Sequence, residues 1–365
     1  MLFRSKNTIT KDFYFLSSLF LFFRFISSFV VYKFLSFYDY RIFSYTDLDF
    51  YNEININIFS PNFFYSLLVR FIGYNTQTLL SFKFIFISFI ASFVAITPFI
   101  FLSIKLLSKR SSIFFILTLS LHPYLALYSL KLDSNLFASL GIAFYALWIL
   151  YNNNITFKLS IVLNVFSTIF RNALIPLVWA QFYLIFLLKR DFAKIKFLGI
   201  FSLFLITIFI TFSQIFYGVE YISQNFGCYS YEKIDIFLQQ ILSPNFSKIV
   251  SLIITPIVHI ILNLGAREAI SVYCLNLPGQ FASHSLLNIF MTFSFLIFHS
   301  FLLIKLFIYI FKNFELRKLT LLFPFSILLP TLYGSAHMRY LYPLLPFLIF
   351  VQFLPRDIVI LKKKL

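Results

Sequence analysis

The sequence predicts an all-α protein, a polytopic bundle of about ten to twelve transmembrane helices forming one domain over residues 1–365. Three observations predict it. First, 60% of the residues are hydrophobic and 12% are charged, whereas an ordinary soluble domain carries about 25% charge. Second, 56 Phe residues and a mean hydropathy of +0.89 leave too few polar side chains to coat a solvated globule, so lipid must be the solvent for most of the surface. The same hydrophobicity excludes a disordered chain. Third, the apolar runs are continuous. A membrane barrel would instead alternate over stretches of about ten residues, and a helix is the default way for a backbone to satisfy itself in lipid.

The first run covers residues 13–35 and follows Arg4, Lys6 and Lys11. No small-residue cleavage site follows it, so it reads as a retained helix with a cytoplasmic N-terminus. A polar stretch over 36–77 forms the first outer loop. Within it, Ser60-Pro61 opens a segment running to Arg70 that is too short to span. It suits a helix lying along the interface, with Tyr65 and Arg70 at headgroup level. The second span, 79–107, ends on Lys105, Lys109 and Arg110 and returns to the cytoplasm. Further runs follow at 112–130, 136–151, 156–170, 173–188 and 197–217. Lys189, Arg190, Lys194 and Lys196 again fall inside by the crossing count.

Residues 249–264 are apolar and 266–284 only weakly so. A clear span at 286–311 precedes Lys312, Arg317 and Lys318, and the last two spans are 319–333 and 340–354. The terminal basic residues fall inside only if 249–284 contributes an even number of crossings. Both termini are therefore expected inside. Pro98, Pro123, Pro176, Pro256, Pro324 and Pro330 lie within apolar runs and predict kinks. No repeat or soluble domain is visible.

Thirty Lys and Arg against 13 Asp and Glu give a formal charge of +17. The basic residues sit between apolar runs, which points to membrane topology and away from nucleic acid. The excess of Phe, Ile, Asn, Lys and Tyr fits the codon bias of an AT-rich genome, so abundance alone gives no Phe a function. Cys228 and Cys274 define no framework, although one disulfide forms if both face an oxidising side.

The few acids are informative by position. Asp39, Asp47, Asp49 and Glu53 lie in the first outer loop, the last three within Tyr45-Thr46-Asp47-Leu48-Asp49-Phe50-Tyr51-Asn52-Glu53. A carboxylate pair at a membrane face can take a proton from a hydroxyl or hold a divalent cation; acids also occur in loops simply because loops are solvated. Asp133 falls on the same side, in a turn where Asp or Ser also suits a helix cap. Arg171-Asn172 marks a third outer turn, where snorkelling alone would explain the Arg. The last outer turn, Gly334-Ser335-Ala336-His337-Met338-Arg339-Tyr340, opens the final span. Arg there is expensive unless paired or wetted. Its fork suits a phosphate, and His337 can add a donor; an interfacial Arg anchored among Tyr residues is the plainer account. No GxxxxGK[ST], HExxH, GxSxG or CxxC pattern occurs.

Together these features resemble the GT-C superfamily of polytopic glycosyltransferases, with local similarity to lipid-linked mannosyltransferases. Members often carry an acidic pattern in the first loop, matched here by Asp47, Asp49 and Glu53. Some carry H-K-E-x-R-F-x-x-P-x-x-P near the C-terminus. Here His337, Arg339, Tyr340, Pro343 and Pro346 match, and the Lys-Glu pair is missing. The resemblance implies transfer of a hexose or pentose from a polyprenyl-phosphate-sugar donor to a lipid, glycan or protein acceptor on the outer face. It implies Asp47 or Asp49 as the base in an inverting displacement, and Arg339 with His337 on the departing phosphate. It implies Glu53, Asp133 and Tyr340 as substrate contacts. No cofactor is required; a divalent cation can assist.

A transporter or lipid flippase is the alternative, because Arg24, Lys83 and His259 fall inside apolar runs. A non-catalytic assembly subunit is a third class. The expected location is a bacterial inner membrane, with the endoplasmic reticulum as the alternative. Asn245-Phe246-Ser247 and the ending Lys362-Lys363-Lys364-Leu365 fit the latter.

Overall fold

The computed structural model describes residues 6–37, 63–72, 82–130, 134–151, 154–171, 174–187, 204, 205, 208, 286–312, 316–331 and 341–355. Every element among them is helical. In chain order they are α1 (Lys6–Phe37), α2 (Phe63–Ile72), α3 (Phe82–Leu106), α4 (Lys109–Leu121), α5 (Pro123–Ser129), α6 (Asn135–Leu150), α7 (Asn154–Phe170), α8 (Ile175–Leu187) and α9 (Leu286–Phe311). A 3₁₀ segment (Leu316–Thr331), a single 3₁₀ turn (Tyr342–Leu344) and α10 (Leu345–Val351) complete them. Among the described residues, three stretches are long and apolar enough to cross a membrane: Thr8–Lys33, Ile85–Leu106 and Phe293–Phe311.

Two helices are patterned in the opposite sense to a helix in water. On α1 the buried stripe holds Ser17, Phe20, Arg24, Ser27 and Ser28, while Tyr14, Phe15, Phe22, Phe25, Phe29 and Val30 face outward. On α7, Thr156, Ser160, Asn164, Ser167 and Thr168 are buried and Ile155, Leu159, Val162 and Phe166 are exposed. A water-facing helix hides its apolar face. Here Ser, Thr, Asn and Arg side chains face the neighbours beside Leu16, Phe20, Phe157, Ile161 and Val165, and the outward faces are apolar, as for helices that associate in lipid. With the three long helices, this marks a membrane protein.

The centre is α6, buried on almost its whole circumference. It packs on α7, on α3 and on the turn at Tyr342–Leu344. Its Gly141 lets α7 come close, because a Cβ there would stand 2.9 Å from Asn164 Oδ1. Asn164 donates to Gln181 Oε1 at 2.7 Å, and Gln181 donates to Ser160 Oγ at 2.7 Å. This buried amide network ties α8 to α7. At the other side, Phe350 of α10 meets Phe99 of α3 and Phe115 of α4, with ring centroids 5.7 and 5.2 Å apart.

Two elements depart from a plain α-helix, one of them at a proline. The run 112–130 is not one helix but breaks between α4 and α5 at His122-Pro123. Pro123 has no N–H for the carbonyl of Leu119, four residues earlier. Arg24 supplies the missing donor through Nη2. The run after Lys318 winds as a 3₁₀ helix over 16 residues. At about 2.0 Å per residue it reaches about 32 Å, against about 24 Å for the same residues as an α-helix. Tyr145 Oη of α6 donates to the carbonyl of Thr320 in this segment at 2.9 Å.

Candidate functional site

Asp47, Asp49, Glu53, Asp133, His337, Arg339 and Tyr340 all lie outside the described residues. Their flanks are described, and the flanks are informative. The helix ends fall into two sets. Lys105 near the end of α3 lies over Tyr151 at the end of α6, 5.7 Å from the ring centroid. The start of α4 is tied to α3 by Ser112 Oγ donating to Ser103 O at 2.9 Å. Phe115 meets Phe353 with centroids 6.0 Å apart. Tyr309 near the end of α9 donates to Pro355 O at 3.2 Å, and Lys318 lies 5.6 Å from the Tyr309 ring. One end of the bundle therefore gathers Lys105, Lys109, Arg110, Lys312 and Lys318.

The opposite end gathers the flanks of the predicted site. Arg171, after α7, donates through Nη1 to Ser134 Oγ, before α6, at 3.1 Å. Phe170 stacks on Phe137 with centroids 4.3 Å apart, and Tyr65 of α2 meets Phe137 edge-on at 6.4 Å. α1 runs in the same direction as α4 and α5, because Arg24, Ser27 and Ser28 bond to Leu119, Ser120 and Ala126 in that order. Its C-terminus therefore lies at this end. The 3₁₀ segment starts and α10 finishes at the basic end, so Thr331 and Leu341 both lie away from it. Phe37, Phe63, Leu130 and Ser134, which flank segments 38–62 and 131–133, thus lie at the end opposite the basic one; the segments themselves lie outside the described residues.

Two local readings change. Arg171 does not reach outward as a snorkelling side chain would; it is buried, at 7% exposure, against Ser134. Ser134 does not cap α6 with its side chain, because its Oγ accepts from Arg171 instead. The short helix of the first outer loop is present as α2, starting at Phe63 and packed on α7.

A second polar constellation sits midway along the helices, and sequence reasoning did not assemble it. Arg24 is 1% exposed, His122 is 5% and His299 is 0%. The His122 and His299 rings are nearly parallel at 5.6 Å, and Phe295 lies on His122 at 5.9 Å. Phe295, Phe298 and His299 of α9 are spaced to share one helical face, and all three meet His122. Tyr124 touches the same group, 6.3 Å from His299. Arg24 rests on Phe20 at 5.2 Å and is within electrostatic reach of His122 and Tyr342. The signals for it were a lone Arg and a lone His within apolar runs, and a His directly before a Pro.

No protein-family model, no curated protein and no solved structure matches the chain.

Proposed function

We propose that this chain is a membrane glycosyltransferase of GT-C type that moves a sugar from a polyprenyl-phosphate-sugar donor to a hydroxyl acceptor. The observation that supports this reading is that the described flanks of the segments carrying Asp47, Asp49, Glu53 and Asp133 lie at one end of the bundle, opposite the basic end. Catalysis that uses Asp47 and Asp133 together requires that much. By the positive-inside tendency the basic end is cytoplasmic, so the reaction faces the outer or lumenal side. A span count of about ten to twelve accompanies the reading. The membrane is a bacterial inner membrane, with the endoplasmic reticulum as the alternative.

In the proposed step, Asp47 or Asp49 takes the acceptor hydroxyl proton as its oxygen bonds to the anomeric carbon. The bond from that carbon to the phosphate oxygen breaks, and the electron pair leaves with the phosphate. Arg339 and His337 hold that charge. Glu53, Asp133 and Tyr340 contact substrate. A divalent cation can assist at the carboxylates, and the step balances without one.

The test is transfer of labelled sugar from a panel of polyprenyl-phosphate sugars, using the full chain in nanodiscs with a membrane lipid extract as acceptor. Asp47→Asn or Asp49→Asn should slow transfer by about 10²–10⁴-fold, the usual worth of a positioned base. Wild-type turnover in both variants sinks the mechanism. A transporter is the second reading, favoured by a buried Arg and two buried His beside a broken helix midway along the bundle. Solute movement in proteoliposomes that survives both Asp variants, with no labelled product, would select it.

A further inference from the structure

Arg24 and His122 each hold buried nitrogen donors with no hydrogen-bond partner among the described residues. Arg24 spends Nη2 on the carbonyl of Leu119, while Nε and Nη1 have no hydrogen-bond partner among the described residues. A guanidinium cannot shed its proton in a protein. The one described acid, Asp12, lies twelve positions away on the same helix, about 18 Å at 1.5 Å per residue.

His122 repeats the pattern. It precedes α5, and its Nδ1 accepts from the Leu125 N–H at 3.4 Å. An imidazole that accepts at Nδ1 carries its proton at Nε2. That Nε2 is buried and has no partner among the described residues. Three nitrogen donors on two neighbouring side chains, Arg24 Nε and Nη1 and His122 Nε2, are thus withdrawn from solvent without an acceptor among the described residues. Leaving such groups unpaired is costly, more so for the charged one. No group of three His, Cys, Asp or Glu side chains comes together among the described residues.

We propose that Arg24 and His122 form a buried binding site for a phosphoryl oxyanion, borne either by a free phosphate or by a lipid phosphomonoester. A phosphoryl group supplies several acceptor oxygens and the negative charge that Arg24 lacks, and a guanidinium fork matches its geometry. The aromatic floor of Phe20 and Phe295 excludes water and strengthens those bonds. The site is separate from the outer-end residues assigned to transfer and does not rest on that assignment.

The test uses the full chain in a maltoside detergent, which contains no phosphate. Thermal midpoints are followed against inorganic phosphate and against a long-chain prenyl monophosphate, with chloride as the control. The wild-type midpoint should rise with the logarithm of ligand concentration. Arg24→Gln should weaken the apparent affinity about 10-fold or more, the worth of a charge-assisted bond. His122→Asn keeps an acceptor for Leu125 N–H, because Asn is a good N-cap, and loses the Nε2 donor. It should therefore fold and bind more weakly, which keeps the test open if Arg24→Gln does not fold. A response to inorganic phosphate assigns a soluble ligand; a response to the prenyl phosphate alone assigns a lipid one. No response in the wild type, or equal responses in wild type and His122→Asn, overturns the site.

Discussion

Gly141→Ala tests how α6, α7 and α8 are held together. The added Cβ would stand 2.9 Å from Asn164 Oδ1, 2.9 Å from Leu174 Cδ1 and 3.3 Å from Leu174 Cδ2. Asn164 and Leu174 are both 0% exposed, so neither can swing into open space. Asn164 is also held by its bond to Gln181. Overpacking of this kind costs about 1–3 kcal/mol, and the better helix propensity of Ala returns about 1 kcal/mol. A double-mutant cycle with Asn164→Ala cancels the propensity term. Removing Asn164 Oδ1 relieves one of the two closest contacts, so Gly141→Ala should cost less in that background. The coupling should reach about 0.5–1.5 kcal/mol, within the range for residues in contact. Reversible unfolding in mixed micelles measures all four corners. Coupling within about 0.3 kcal/mol of zero, or full stabilisation by Gly141→Ala alone, would refute the close approach.

Ser134→Ala removes the acceptor for Arg171 and should cost about 1.5–3 kcal/mol, the range for a bond to a charged group; the same unfolding assay checks it. Trp148 is fully buried and its Nε1 has no partner among the described residues. Trp148→Phe should therefore cost less than about 1.5 kcal/mol, whereas Trp148→Ala should cost about 3–5 kcal/mol. Pro123→Ala restores an N–H able to serve the Leu119 carbonyl. Arg24→Gln should then destabilise less in the Pro123→Ala background than in the wild type, and equal losses would mean that proline does not create the vacancy Arg24 fills.

The helices were legible where apolar runs are bounded by charge. The run at 286–311 coincides with α9, and 156–170 differs from α7 by two residues at its start. Their length and hydropathy leave few alternatives in lipid. The run 112–130 breaks at Pro123, one of the prolines expected to kink its run; hydropathy does not register which side chain serves the carbonyl that proline strands. The break at Pro123 stands only because Arg24, almost a hundred positions earlier, satisfies the carbonyl it strands. The 3₁₀ winding of Leu316–Thr331 was invisible for a related reason: 3₁₀ and α-helix share an apolar composition and differ in pitch. In the site, counting crossings gives an expected common side for the three predicted segments, which lie outside the described residues. The meeting of Arg24, His122 and His299 did not follow from the sequence, because three single residues on distant segments leave no pattern until the helices pack.

The inward polar stripe of α1 also bears on the order of assembly. α1 emerges from the ribosome before the backbone of residues 119–126 has been made, so Arg24 enters the bilayer with no carbonyl to bond. An Arg near a helix centre costs about 2.5–3.5 kcal/mol on insertion, and each Phe, Ile or Val returns about 0.3–0.6 kcal/mol. The outward residues Phe15, Phe22, Phe25, Ile26, Phe29 and Val30 alone come close to covering that cost. The membrane-facing side of α1 thus carries the helix through insertion, and its Arg waits as a half-made joint until α4 and α5 arrive to close it.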